Sequence, residues 1–166
     1  MRLYVMRHGA AVDVGEQGVK TDDARMLSAE GQLKTRQVAE GLAAIGVRPD
    51  HIGSSPLVRA RETAEIAAKV LCENATVEVC EFLRPNSHTG KLIKWLHQHP
   101  GDSALITGHV PDVSMIISEL IGGRGNCAIK MKKASVACIV FDETPEIGKG
   151  VLEWLLQPDQ LRHLRG

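Results

Sequence analysis

Short apolar runs that end in a polar, glycine-containing cluster and then give way to a helical pattern constrain this chain more than any other feature. Leu3, Tyr4, Val5 and Met6 run into Arg7-His8-Gly9, and His51, Ile52, Gly53 and Ser54 run into Ser55-Pro56. Ala104, Leu105, Ile106 and Thr107 run into Gly108-His109-Val110-Pro111. Runs of this length and content read as buried strands. Between them, Ser28 is placed to cap a helix with Glu30 in its first turn, and Leu33, Gln37, Val38, Leu42 and Ile45 follow at roughly helical spacing until Gly46 and Pro49. Ser55 and Pro56 read as the cap and first residue of a second helix, packed through Leu57, Ala60, Ala64, Ala67 and Leu71. Residues 76–80 read as a further strand, and 92–97 and 111–121 as helices, the latter stopped by Gly122-Gly123. Two apolar segments, 134–141 and 151–156, read as an antiparallel pair, and the polar tail 158–166 reads as peripheral. Alternating strands and helices predict an α/β chain with a mostly parallel sheet and helices on both faces.

Composition narrows the function classes. The 166 residues carry 20 Lys plus Arg against 20 Asp plus Glu, which argues against the clustered surplus of cations that nucleic acids or membranes attract. Aromatic residues are few, two Trp, one Tyr and two Phe, so stacking platforms for single strands are scarce. Apolar runs fall short of the roughly 20 residues that span a bilayer, and Arg7 interrupts the N-terminal one. Cys72, Cys80, Cys127 and Cys138 form no C-x-x-C pair, so a structural zinc site is not expected. The length suits one domain over 1–166, and the expected compartment is the cytoplasm with reduced thiols.

The three polar clusters follow strands, and in open α/β sheets ligands bind beyond the carboxyl ends of strands. Their combined content is arginine and histidine without a carboxylate pair, a cationic pocket suited to a dianion such as a phosphoryl group. Arg7 is a bidentate clamp for phosphate oxygens or else an ion-pair partner. His8, beside Gly9 where backbone can approach closely, is a candidate nucleophile: a neutral imidazole can attack phosphorus and split transfer into two steps. Arg59 falls in the first turn of its helix, where the macrodipole disfavours a cation unless an anion is bound. The alternative for Arg59 is a salt bridge to Asp22, Asp23 or another acid. His109 ends a strand ahead of a helix start, where free N–H groups favour anions.

Taken in order, Arg7-His8-Gly9, LSAEG over 27–31, SSPLVRARETA over 54–64 and the late Gly108-His109 resemble the histidine phosphatase superfamily, the phosphoglycerate-mutase-like proteins. Within it the MRHG start, Arg25 in ARMLS, the GHVP motif and the small size are most similar to the SixA-type phosphohistidine phosphatases. The resemblance implies a three-layer α/β/α sandwich with a mixed, mainly parallel sheet. It also implies His8 as phosphoaccepting nucleophile, Arg7, Arg59 and His109 as the rest of the phosphate pocket, and Arg25 as an added phosphate contact; the alternative for Arg25 is a mobile loop arginine. No metal or cofactor is implied. The implied partner is a phosphorylated protein such as a histidine-containing phosphotransfer domain.

The chain departs from the wider superfamily in lacking the glutamate-bearing L-x-E-x-x-x-G-x-W-E-G stretch. Glu81 is the nearest carboxylate, a surface acid or the general acid, with His88 a weaker candidate. An alkoxide leaving group gains a factor of about 100 or more from a positioned acid, whereas a phosphoramidate leaves as imidazole. The pattern therefore points to N–P cleavage. A small-molecule phosphomonoesterase or mutase is the rival within the superfamily. A non-catalytic phosphate-recognition module is the rival from another class.

Overall fold

The computed structural model describes residues 1–72, 76–86 and 88–165. Ser87, in the stretch weighed for a general acid, and Gly166, in the tail, lie outside the described residues. Six strands form one sheet in the order β3-β2-β4-β1-β5-β6, where β1 is Arg2–Arg7, β2 His51–Ser54, β3 Val77–Val79, β4 Ser103–Gly108, β5 Val136–Val140 and β6 Val151–Leu156. The four strands from β3 to β1 are parallel; β5 runs antiparallel to β1, and β6 at the far edge runs antiparallel to β5. The sheet is thus mixed and mainly parallel.

Alternation along β1 divides the core. Leu3 and Val5 face helices α3 (Thr89–Gln98) and α4 (Asp112–Gly122), packing with Leu92, Trp95, Ile116 and Ile117. Tyr4 and Met6 face α1 (Ala29–Ala44), α2 (Val58–Leu71) and α5 (Pro158–Leu164), packing with Val38, Leu42, Ala64, Ala67 and Leu161. A strand with both faces covered reads as a continuous apolar run, which explains the Leu-Tyr-Val-Met sequence. The small residues of α2 let it approach α1 and the sheet closely.

Strand register sets the level at which each strand ends. Arg7 pairs with Gly108 across β1 and β4, and Ser54 with Thr107 across β2 and β4. The three parallel strands β2, β4 and β1 therefore end at one level, and their polar clusters leave the sheet side by side.

Three expectations need correction. Helix α2 starts at Val58 with Leu57 as its cap, not at Ser55-Pro56. Ser55 still continues the β2–β4 pairing, its N–H donating to Thr107 O at 3.0 Å, and the first helical N–H, on Val58, goes to Asp23 O at 3.3 Å. Helix α3 begins three residues earlier than the apolar spacing suggests, at Thr89. The tail is not peripheral: α5 opens with Pro158 at its first turn and a reciprocal Gln157/Gln160 capping box, and it buries Leu161 fully.

Gly41 is what admits α5. A Cβ at that position would overlap the carbonyl oxygen of Leu161, and two helix backbones cannot yield as a flexible side chain can. Gly41→Ala is expected to lose about 1–3 kcal/mol of stability by overpacking, seen as a Tm drop of roughly 2–4 °C per kcal/mol in a thermal melt. An unchanged Tm would mean α5 docks independently of that contact.

Candidate active site

His8 sits just beyond β1, 8 % exposed. Its N–H donates to Gly108 O at 3.0 Å, which holds the backbone between β1 and β4. Its ring Nδ1 lies 2.6 Å from Gly9 O. A carbonyl can only accept, so Nδ1 carries the proton and the Nε2 lone pair is left free of hydrogen. Arg59 Nε donates to that Nε2 at 3.3 Å. Gly9 N–H donates to Thr63 Oγ1 at 3.0 Å, and Thr63 in turn donates to Arg59 O at 2.7 Å. Thr63 stands one helical turn after Arg59 and joins α2 to the His8 segment.

The His109 ring is 5.2 Å from the His8 ring, centroid to centroid. Its Nε2 lies 2.8 Å from Ser55 Oγ, and its Nδ1 is buried with no hydrogen-bond partner among the described residues. Arg7 Nη1 donates to Met131 O at 2.7 Å, while Arg7 Nε is likewise buried without a partner among the described residues. The structure thus brings Arg7, His8, Arg59 and His109 together from three parallel strand ends.

Arg59 carries both of its sequence alternatives. Besides meeting His8, its Nη1 donates to Asp22 O at 2.7 Å and its Nη2 to Asp22 Oδ2 at 3.0 Å. Asp22 belongs to the segment joining β1 to α1, which folds back on itself through Val12 N–H to Met26 O at 3.0 Å. Partial burial works to raise the Asp22 carboxyl, but its bonds to Arg25 and Arg59 outweigh that and hold it below its ordinary range. Arg25 is committed to this segment, with donations to Val12 O, Asp22 Oδ1 and Asp13 Oδ1 at 2.7, 3.1 and 2.8 Å. It reaches the pocket through Asp22, one residue removed. Glu81 opens a short 3₁₀ turn, Glu81–Leu83; its side chain is 73 % exposed and its carboxylate accepts from Arg84 Nε at 2.9 Å. Arg84 also pairs with Asp23 at 2.9 Å, tying this turn to the Asp22 segment.

Sequence reasoning treats Ser55 as a helix cap and passes over Thr63. Ser55 lies within SSPLVRARETA, and Thr63 lies four residues after Arg59, on its helical face; both signals are present in the sequence.

Burial governs the charge state. It pushes His8 down to about 3, helped by the positive fields of His109, Arg59 and Arg7 and opposed by the bond to Gly9. Burial also pushes His109 down to about 4, with Arg59 adding to it and Asp112 opposing. Both rings are neutral near pH 7, and a neutral His8 is a nucleophile. Stability depends on pH with a definite sign. A histidine whose folded value lies below its ordinary 6.5 takes its proton first in the unfolded chain. Its contribution is therefore complete above about 6.5 and is lost as pH falls toward the folded value, by up to about 1.4 kcal/mol per pH unit per group. Urea unfolding should give a lower midpoint at pH 5 than at pH 7, and His109→Gln should flatten that fall. An equal slope in wild type and variant would disprove neutral burial of His109.

The profile described as Histidine phosphatase superfamily (branch 1) matches residues 3–85, the half of the chain that supplies Arg7, His8 and Arg59. The chain belongs to the histidine phosphatase superfamily. The phosphohistidine phosphatase SixA of Escherichia coli K12 is 27 % identical over 98 % of this chain and 97 % of its own. The SixA homolog of Haemophilus influenzae is 31 % identical over 86 % and 89 %. The structure of the protein histidine phosphatase SixA complexed with tungstate superposes with a TM-score of 0.83 at 26 % identity, covering 97 % of this chain and 99 % of that one. The fold is accordingly the phosphoglycerate-mutase-like α/β/α sandwich. No helix among the described residues is long and apolar enough to cross a membrane.

Proposed function

We propose that this chain is a phosphohistidine protein phosphatase that works through a covalent intermediate on His8 and needs no metal. The observation that carries this reading is the fixed tautomer of His8: Nδ1 donates to Gly9 O, so the lone pair on Nε2 lies on the side where Arg59 approaches. In the first step that lone pair attacks phosphorus in line, the P–N bond of the substrate breaks, and the leaving imidazole takes a proton from solvent. In the second, water attacks the phosphorus of phospho-His8, releasing inorganic phosphate and restoring the neutral ring. Arg7, Arg59 and His109 stabilise the charge on the transferring oxygens. Buried Arg7 Nε and His109 Nδ1, without partners among the described residues, are groups that phosphoryl oxygens can engage, Nδ1 when it carries the proton. A solved SixA at 26 % identity is complexed with tungstate, a tetrahedral dianion like phosphate, and that supports a phosphoryl ligand here. Arg25 is proposed to act by holding Asp22 rather than by touching phosphate. The resemblance extends the reading to a histidine-containing phosphotransfer domain as the phosphoprotein.

The salt-bridged, exposed Glu81 is a poor donor to an alkoxide, which favours N–P over O–P substrates. Phosphate release should be faster from a phosphohistidine protein than from a small alkyl phosphate. Glu81→Gln should leave the first rate within about threefold, against the loss of about 100-fold or more that removal of a true general acid brings. Faster release from the alkyl ester, with a large Glu81→Gln defect, would establish a small-molecule phosphomonoesterase instead.

A further inference from the structure

We propose that a cationic cleft flanking the His8 pocket receives an acidic segment of the same phosphoprotein, an inference that rests on the function proposed above. The cleft, about 390 Å³, lies between the first half of α1, the start of α5 and the segment entering β5. Five basic residues line it, Arg7, Lys34, Lys132, Lys133 and Arg162, against one acid, Asp159. A chain with equal numbers of basic and acidic residues has no general surplus, so this concentration is local. Lys34 is paired with Glu30 at 2.6 Å and Arg162 with Asp159 at 3.0 Å. Lys132 and Lys133 are exposed, and neither ammonium forms an ion pair among the described residues. They are the charge left over for a ligand.

Two further observations mark the cleft as a binding surface. Thr35, also on its lining, is fully buried, and its hydroxyl has no hydrogen-bond partner among the described residues. Arg162 Nε is buried in the same condition. Buried donors of this kind are costly unless something accepts from them. The cleft is also continuous with the reaction centre: Arg7 and Gly9, on either side of His8, both line it. A Cβ on Gly9 would overlap the Thr35 hydroxyl, so the glycine lets the His8 backbone lie directly against the cleft wall.

The chemistry selects carboxylates on a polypeptide. No aromatic side chain lines the cleft, so bases would find nothing to stack on. Separate ammonium groups match acidic side chains spaced along a chain. A protein bound by its phosphohistidine at His8 presents neighbouring residues to this cleft at high effective concentration.

The test is Lys132→Glu/Lys133→Glu, two exposed residues outside the phosphate pocket. On a phosphohistidine protein, KM should rise by about tenfold or more through like-charge repulsion, with kcat within about twofold. On phosphoimidazole, which has no acidic segment, kcat/KM should stay within about twofold of wild type. An unchanged KM on the protein, or an equal loss on phosphoimidazole, overturns the proposal. Wild type that releases phosphate from neither compound would instead overturn the proposed function. The cleft is then judged by anisotropy of a fluorescein-labelled Asp/Glu-rich peptide. Binding by wild type that the double variant loses upholds an acidic-segment site, and equal binding, or none by wild type, overturns it.

Discussion

His8→Ala should lower turnover of a phosphohistidine protein by about four orders of magnitude or more, the scale on which removal of a catalytic nucleophile acts. The residue is placed for that loss to be chemical rather than structural. Its backbone is held by Gly108 O through the main chain, which alanine retains. What alanine removes is the ring whose Nδ1 donates to Gly9 O and whose Nε2 faces Arg59. The variant should therefore keep its fold and gain stability relative to wild type at low pH, because it no longer buries a neutral histidine there. Rapid quenching of wild type at alkaline pH should trap an acid-labile phosphoryl group on His8, and His8→Ala should trap none. A variant that keeps full turnover, or a stable wild-type fold with no trapped phosphoryl group on any substrate that turns over, would remove His8 from the reaction. Phosphate-competitive binding without turnover by wild type would favour a recognition module.

How much of the fold and site is legible in the sequence differs by element. The strands are legible because burial on both faces leaves no polar alternation: β1 and β4 read as continuous apolar runs. The meeting of three polar clusters is legible because parallel strands in one sheet must end on the same side. The tail is hard to read because α5 buries Leu161 alone among its seven residues, too little for a periodic signal, and because its docking depends on Gly41 of a distant helix. The start of α2 is hidden because Ser55-Pro56 has the composition of a helix cap, while the competing bonds, from Ser55 to Thr107 O and to His109, come from β4 and the residue after it. Arg59 has two readings because local sequence cannot say how many partners a fork of five N–H groups will take. It takes His8 and Asp22 together, and that sharing is a tertiary fact.

Arg59 is accordingly where the second large effect is expected. Arg59→Ala should lower kcat on a phosphohistidine protein by about 10²–10³, comparable to losing a preorganised oxyanion donor. Two consequences distinguish this from simple loss of charge. The positive field of Arg59 is one of the influences that hold both His8 and His109 below their ordinary values. Without it both rings become easier to protonate, so the acid limb of the pH–rate profile should move to higher pH. Arg59→Lys keeps a cation, which should leave that limb nearer its wild-type position. It cannot reproduce a planar fork that meets His8 through Nε and Asp22 through Nη1 and Nη2, so kcat should stay well below wild type. The two variants thus separate field from geometry. A lysine variant that recovers full turnover would show that charge alone matters, and an alanine variant with an unshifted profile would show that Arg59 does not set the charge state of the nucleophile.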